Sequence, residues 1–76
     1  MTQIEDFVVQ KVKEMRVERG WSQRELADYM NLSQSYIRDV ENPKRWQKYN
    51  LNHINTLAKL FKCSFADFFP EKPFDD

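Results

Sequence analysis

The stretch from Trp21 to Asn42, WSQRELADYMNLSQSYIRDVEN, constrains the fold of this chain more than any other, because two helix starts follow one another within it. Ser22 with Glu25 three residues on is a capping box, in which each side chain satisfies an orphan backbone donor of the other. Ser33 opens the second helix, and Asn31 just before it suits the left-handed conformation that ends the first. Leu26, Ala27, Met30, Leu32, Ile37 and Val40 fall at spacings that give each helix one apolar stripe. Two short amphipathic helices joined this tightly must clamp against each other. The second then leaves Gln34, Ser35 and Arg38 outside its stripe, and a helix carrying amide and hydroxyl groups in its first turn can present them to base edges in a DNA major groove.

The flanking sequence supplies the rest of an all-α domain. Thr2 with Glu5 is a further capping box, and Ile4, Phe7, Val8, Val12 and Met15 form a helical stripe running to about Arg19, where Gly20 provides the C-terminal cap. The second helix is expected over about Gln23–Met30 and the third over about Gln34–Glu41. Asn50 caps a fourth, with Leu51, Ile54, Leu57, Ala58 and Phe61 as its buried face. Ser64 with Asp67 caps a short fifth carrying Phe65, Phe68 and Phe69, after which Pro70 and Pro73 stop further helix. The expectation is a single compact five-helix domain over residues 1–76, with the helix-turn-helix at about 22–42 and a C-terminal tail at 70–76. No internal repeat, low-complexity segment or inter-domain linker interrupts it.

Bulk properties narrow the classes. A chain of 76 residues supports one core, close to the size at which a core alone is only marginally sufficient, and leaves no room for a separate effector domain. The lone cysteine, Cys63, excludes an internal disulfide, and its apolar neighbours make it a small core residue, which points to a reducing cytoplasm. No apolar run approaches the roughly 20 residues of a membrane span, and the N-terminus lacks a basic region followed by an apolar one, so neither membrane nor secretion is indicated. Net charge is zero, whereas nucleic-acid-binding domains are usually basic. Its distribution is uneven. Residues 38–62 carry six Lys or Arg (38, 44, 45, 48, 59 and 62) against two acids (39 and 41), a net +4, while residues 1–28 sum to −1 and residues 63–76 to −3. The positive field therefore lies around the third helix and the loop behind it, a pattern expected to give modest non-specific affinity and a steep salt response.

Residues VKEMRVERGWSQRELADYMNLSQSYIRDVEN (12–42) and LNHINTLAKLFKCSFADFF (51–69) carry a family resemblance. With Arg16 before the Gly20 turn, Ser22-Gln23 followed by Glu25-Leu26-Ala27, Ser33, Ile37, Glu41-Asn42, then Leu57-Ala58 and Cys63-Ser64-Phe65, the chain resembles the lambdoid-repressor-like helix-turn-helix regulators, also called the xenobiotic-response-element family. The resemblance implies sequence-specific binding of double-stranded DNA through the major groove by a homodimer, in a bacterial or phage transcriptional regulator of repressor type, with no metal or cofactor. It places a base-reading residue at Gln34, has Gln23 bond both a phosphate and that glutamine, and pairs Arg16 with Glu41 in a partly buried ion pair. Ser35 and Arg38 share the exposed side with Gln34 and suit base edges, arginine also suiting a phosphate. Asn42, Lys44, Arg45 and Lys48 are the phosphate-holding candidates, and Asp39 reads as a surface acid. Trp46 and Tyr49 interleave with these cations, which would allow stacking on nucleotides or lying along the sugar–phosphate backbone, but packing is the expected role, with Trp46 pinning the loop to the fourth helix. Phe65, Phe68, Phe69 and Phe74 are more rings than one short helix on a small core would easily bury, so they are expected at a dimer interface.

The chain departs from the family pattern in three places. Pro43 stands where the family usually has glycine after Glu-Asn, so that turn must be built without a positive φ. The KRWQKY loop is about two residues longer than usual, and Lys62 stands where glycine commonly ends the fourth helix.

Other classes keep less support. An antitoxin, with a toxin as partner, or another interaction module could use the same fold, and the neutral net charge leaves that open. Catalysis lacks a constellation: His53 is the only histidine and has no cysteine or acid at ligand spacing, Asp67, Glu71, Asp75 and Asp76 are cap and tail acids, and a single glycine makes no phosphate loop.

Overall fold

A computed structural model describes residues 2–75; Met1 and the tail acid Asp76 lie outside the described residues. Four helices follow in order, α1 (Gln3–Glu18), α2 (Gln23–Met30), α3 (Gln34–Glu41) and α4 (Leu51–Phe61), then a 3-10 turn at Phe65–Phe68. Among the described residues there is no strand, and no helix is long and apolar enough to cross a membrane.

Cap chemistry sets the helix boundaries. The Ser22 hydroxyl accepts from the Glu25 amide at 3.0 Å while the Glu25 carboxylate accepts from the Ser22 amide at 2.9 Å. Thr2 and Glu5 do the same for α1. At α4 the reciprocal partner is a histidine: Asn50 Oδ1 accepts from the His53 amide at 2.8 Å, and His53 Nδ1 accepts from the Asn50 amide at 3.1 Å. α2 ends on Asn31 and α4 on Lys62, both left-handed at φ 59° and 55°. Asparagine tolerates that region; lysine takes it at the expense of a Cβ–carbonyl clash.

The core comprises Val8, Val12, Leu26, Ala27, Met30, Ile37, Ile54, Leu57, Phe61 and Phe68. Trp21 closes one side, stacked on Phe61 with ring centroids 5.4 Å apart, and the Arg19 guanidinium lies over the Phe61 ring at 4.7 Å while donating to the Phe61 carbonyl at 2.9 Å. That bond satisfies one of the orphan carbonyls at the end of α4.

Four apolar positions differ from expectation. The fifth helix is only one 3-10 turn, because Pro70 pushes Phe69 into an extended conformation (φ −117°, ψ 152°) and ends the element there. Within it Phe68 is fully buried against Phe61, so it completes the monomer core and is not available to an interface. Phe65, Phe69 and Phe74 stay exposed, Phe74 with its ring centroid 6.1 Å from that of Phe7. Leu51 is 83% exposed, since it sits at the open first position of α4 on the margin of the arc centred on Ile54, Leu57 and Phe61. Ile4 and Phe7 likewise lie on the outer edge of the α1 stripe, whose buried members are Val8, Val9 and Val12.

Candidate nucleic-acid interface

Ile37 and Val40 turn the inner face of α3 into the protein, where α3 packs on α2 and α1. Burial of that face decides what the opposite one presents. Gln34, Ser35 and Arg38 are all exposed, within a single face of one helix. The Ser35 hydroxyl lies 3.2 Å from that of Ser33, the helix cap. Asp39, half-buried, sits between two arginines, with Oδ1 3.7 Å from Arg38 Nε and 4.0 Å from Arg45 Nε. The acid thereby links the outer face of α3 to the loop that follows.

A second cluster holds α3 from behind. Arg16 Nε and Nη2 donate to the two Glu41 oxygens at 2.9 and 2.8 Å, and Arg16 Nη1 donates to the Trp21 carbonyl at 2.6 Å. Gln23 Nε2 adds a third bond to Glu41 Oε1 at 3.0 Å. The carboxylate so receives bonds from α1 and from the start of α2 while belonging to the end of α3. Gln23 is directed inward by this contact; its amide nitrogen carries a second hydrogen, and the free backbone amides at the start of α2 lie beside it.

The loop solves the proline problem with a β-turn. Arg45 N–H donates to the Asn42 carbonyl at 3.0 Å, which places Pro43 at the second position of the turn, where its fixed φ is favoured. Asn42 Oδ1 accepts from the Lys44 amide at 3.0 Å and tightens the same turn. Lys44 and Arg45 are exposed. Lys48 is led elsewhere: its Nζ is 2.7 Å from Glu5 Oε2, and this pairing, with the Thr2 amide bond, holds the Glu5 carboxyl at about 2, well below its ordinary value. The Tyr36 hydroxyl, inside α3, donates to the Lys48 carbonyl at 2.6 Å and fastens the far end of the loop. Neither Tyr36 nor Glu5 stands out in the sequence as a loop anchor, since each meets its partner across a long stretch of chain.

Trp46 corrects an expectation. It is 77% exposed and does not pin the loop to α4; Tyr49 does that work instead, packed against the core with its ring nearly perpendicular to that of His53. Burial pushes the Tyr49 hydroxyl far above its ordinary pKa, so it stays neutral. The structure thus brings Gln34, Ser35, Arg38 and Arg45 to one surface with Lys44 and Trp46 in the adjoining loop, sets Lys48 against Glu5, and turns Gln23 toward Glu41. Among the described residues, no group of His, Cys, Asp and Glu is placed to hold a metal ion.

The chain is 38% identical over 58 residues to a competence pilus inhibition repressor of Acinetobacter baylyi, an alignment covering 76% of this chain and 51% of that protein. It therefore spans about half the length of this relative. Among solved structures it is similar to the restriction-modification controller protein C.AhdI of Aeromonas hydrophila (31% identity, TM-score 0.68, covering 82% of this chain and 91% of that one). A likeness of fold alone extends to hydroxypropylphosphonic acid epoxidase of S. wedmorenis (15% identity, TM-score 0.77, covering 97% of this chain and 39% of that one). The Helix-turn-helix family matches residues 12–49, half of the chain, from the middle of α1 to the end of the loop behind α3. With α2 and α3 clamped together inside that span and α3 left open on its outer side, the chain belongs to the helix-turn-helix family, in the lambda-repressor-like arrangement of helices.

Proposed function

We propose that this chain is a sequence-specific DNA-binding regulator of transcription, acting in the cytoplasm as a repressor-type protein with no chemistry of its own. The observation that carries this reading is the outer face of α3, where Gln34, Ser35 and Arg38 stand exposed on a helix whose other side is clamped. In this reading Gln34 bonds an adenine edge, Ser35 and Arg38 read neighbouring bases, and Asn42, Lys44 and Arg45 hold phosphates beside the groove. Gln23 adds a phosphate contact through its second amide hydrogen and the α2 N-terminus. Lys48 reaches DNA only by leaving Glu5, and so contributes less.

One recognition helix reads few base pairs. A two-fold homodimer, formed through the exposed rings Phe65, Phe69 and Phe74, would read two half-sites about one helical turn apart. The name of the curated relative, a repressor, and that of the controller protein C.AhdI support the regulatory role. The epoxidase likeness carries fold alone and gives no support to catalysis.

Selection of bound sequences from a random duplex pool tests the proposal. It is expected to return an enriched motif with inverted half-sites about 10 base pairs apart, centre to centre. A pool that remains unenriched would contradict sequence-specific binding, and an enriched motif without inverted symmetry would contradict the dimer.

A further inference from the structure

We infer that Trp46 is itself a DNA contact, its indole lying along the sugar–phosphate backbone beside the groove that α3 enters; this rests on the DNA-binding reading above.

Two observations single it out. The first is its exposure. Trp21 is stacked into the core, but Trp46 leaves 77% of its surface in water although Tyr49, three residues on, packs against the core. An indole offers a large apolar body with one donor, a combination that commonly ends against a partner. The second is that the backbone on both sides of it is held. The turn at Asn42–Arg45 fixes one side, and the Tyr36–Lys48 and Lys48–Glu5 contacts at 2.6 and 2.7 Å fix the other. Trp46 is therefore carried between two anchors, and little beyond its own side-chain freedom is lost when it meets a partner.

Charge selects the partner. Residues 43–50, PKRWQKYN, contain three cations and no acid; Glu5 compensates Lys48, which leaves Lys44 and Arg45 beside the ring, and the one acid close to Arg45, Asp39, already faces Arg38 as well. An exposed aromatic ring among cations matches a surface of apolar deoxyribose and anionic phosphate, with the indole N–H free to donate to a phosphate oxygen. Location selects DNA over an acidic protein. Asp39 links Arg45, the residue before Trp46, to Arg38 on the outer face of α3, so a duplex entering on that face passes the backbone that carries the ring.

The test follows the emission of Trp46, taken as wild type minus Trp46→Phe, during titration with operator and with random duplex. Binding itself is followed independently by anisotropy of labelled duplex. The expected result is quenching of the Trp46 signal and its protection from a soluble quencher on either duplex. Trp46→Ala is expected to weaken binding to both by about tenfold, the scale of one aromatic contact. Its log–log salt slope should equal the wild-type slope, because no charge is removed. Phenylalanine at this exposed site leaves the fold intact and should retain part of the affinity. Binding that persists while Trp46 stays fully accessible would overturn the inference and leave the DNA-binding reading standing. A loss confined to the operator would overturn the backbone placement in favour of a base step. Failure of the wild type to bind any duplex would sink both readings together.

Discussion

Arg16 and Glu41 face each other through two parallel N–H···O bonds of 2.9 and 2.8 Å, their side chains only 10% and 3% exposed. The guanidinium comes from α1 and the carboxylate from the last residue of α3, so the pair sets the depth and angle at which α3 leaves the body. Burying two charges consumes most of what their attraction returns. Their contribution is therefore geometric: Trp21 and Gln23, which bond the same two groups, are held in register with them.

Removing one partner strands the other. Glu41→Ala is expected to destabilise the fold by about 3 kcal/mol or more, because it leaves a buried guanidinium unpaired. The double replacement Arg16→Met, Glu41→Leu should be markedly milder than the single one. Urea unfolding of the set decides; a double variant as unstable as Glu41→Ala alone would show that the pair itself carries net stability.

Lys62 holds a left-handed φ of 55° without glycine's freedom. Lys62→Gly is accordingly expected to raise stability by about 1 kcal/mol, read as a higher urea midpoint at unchanged slope. Lowered stability would mean that the lysine side chain contributes more than its backbone costs.

His53 is expected to make the fold sensitive to mild acid. Its Nδ1 accepts the Asn50 amide, and burial lowers its pKa below the ordinary 6.5. The folded chain thus binds the proton less readily than the unfolded one. Its contribution is whole above about pH 6.5 and is lost as pH falls below that value toward the lower folded pKa. Glu5 acts in a separate window: its stabilisation is present above 4.5 and is lost as pH falls from there toward about 2. Stability measured from pH 7.5 to 5.5 should decline in the wild type and stay nearer level in His53→Gln; parallel declines would remove His53 as the cause.

The sequence carried the helix ends well, because caps are local: Ser22 with Glu25, Ser33 and Asn31 each act within a turn of themselves, and α2 and α3 begin and end where that chemistry places them. Rings and apolar edges were harder. Phe65 and Phe68 are alike in composition, and which one enters the core depends on Pro70 shortening the last element to a 3-10 turn. Leu51 and Ile4 satisfy a helical stripe but sit at its margin, a matter of helix docking angle that spacing does not encode. The loop was least legible. Its anchors, Tyr36 to Lys48 and Lys48 to Glu5, join residues that no local pattern connects, and they leave Trp46 outside.

The same loop predicts unequal roles for its cations. Neutralising Lys44 and Arg45 together should reduce the log–log salt slope of DNA binding by up to about 1.8, at about 0.9 per phosphate contact. Lys48→Ala should change it less, since Glu5 already compensates that charge at 2.7 Å. Equal slope changes per residue, read from affinities across a salt series, would mean that the Lys48–Glu5 pair opens on DNA.

If the outer face of α3 reads bases, Gln34→Ala must weaken binding to one duplex and not to the other. Affinity of wild type and variant is measured side by side on the selected operator and on random duplex at one salt concentration. A loss of about 1–3 kcal/mol is expected on the operator and almost none on random duplex, because base contacts specify whereas phosphate contacts position. Equal losses on the two duplexes, or no loss on either, would contradict it.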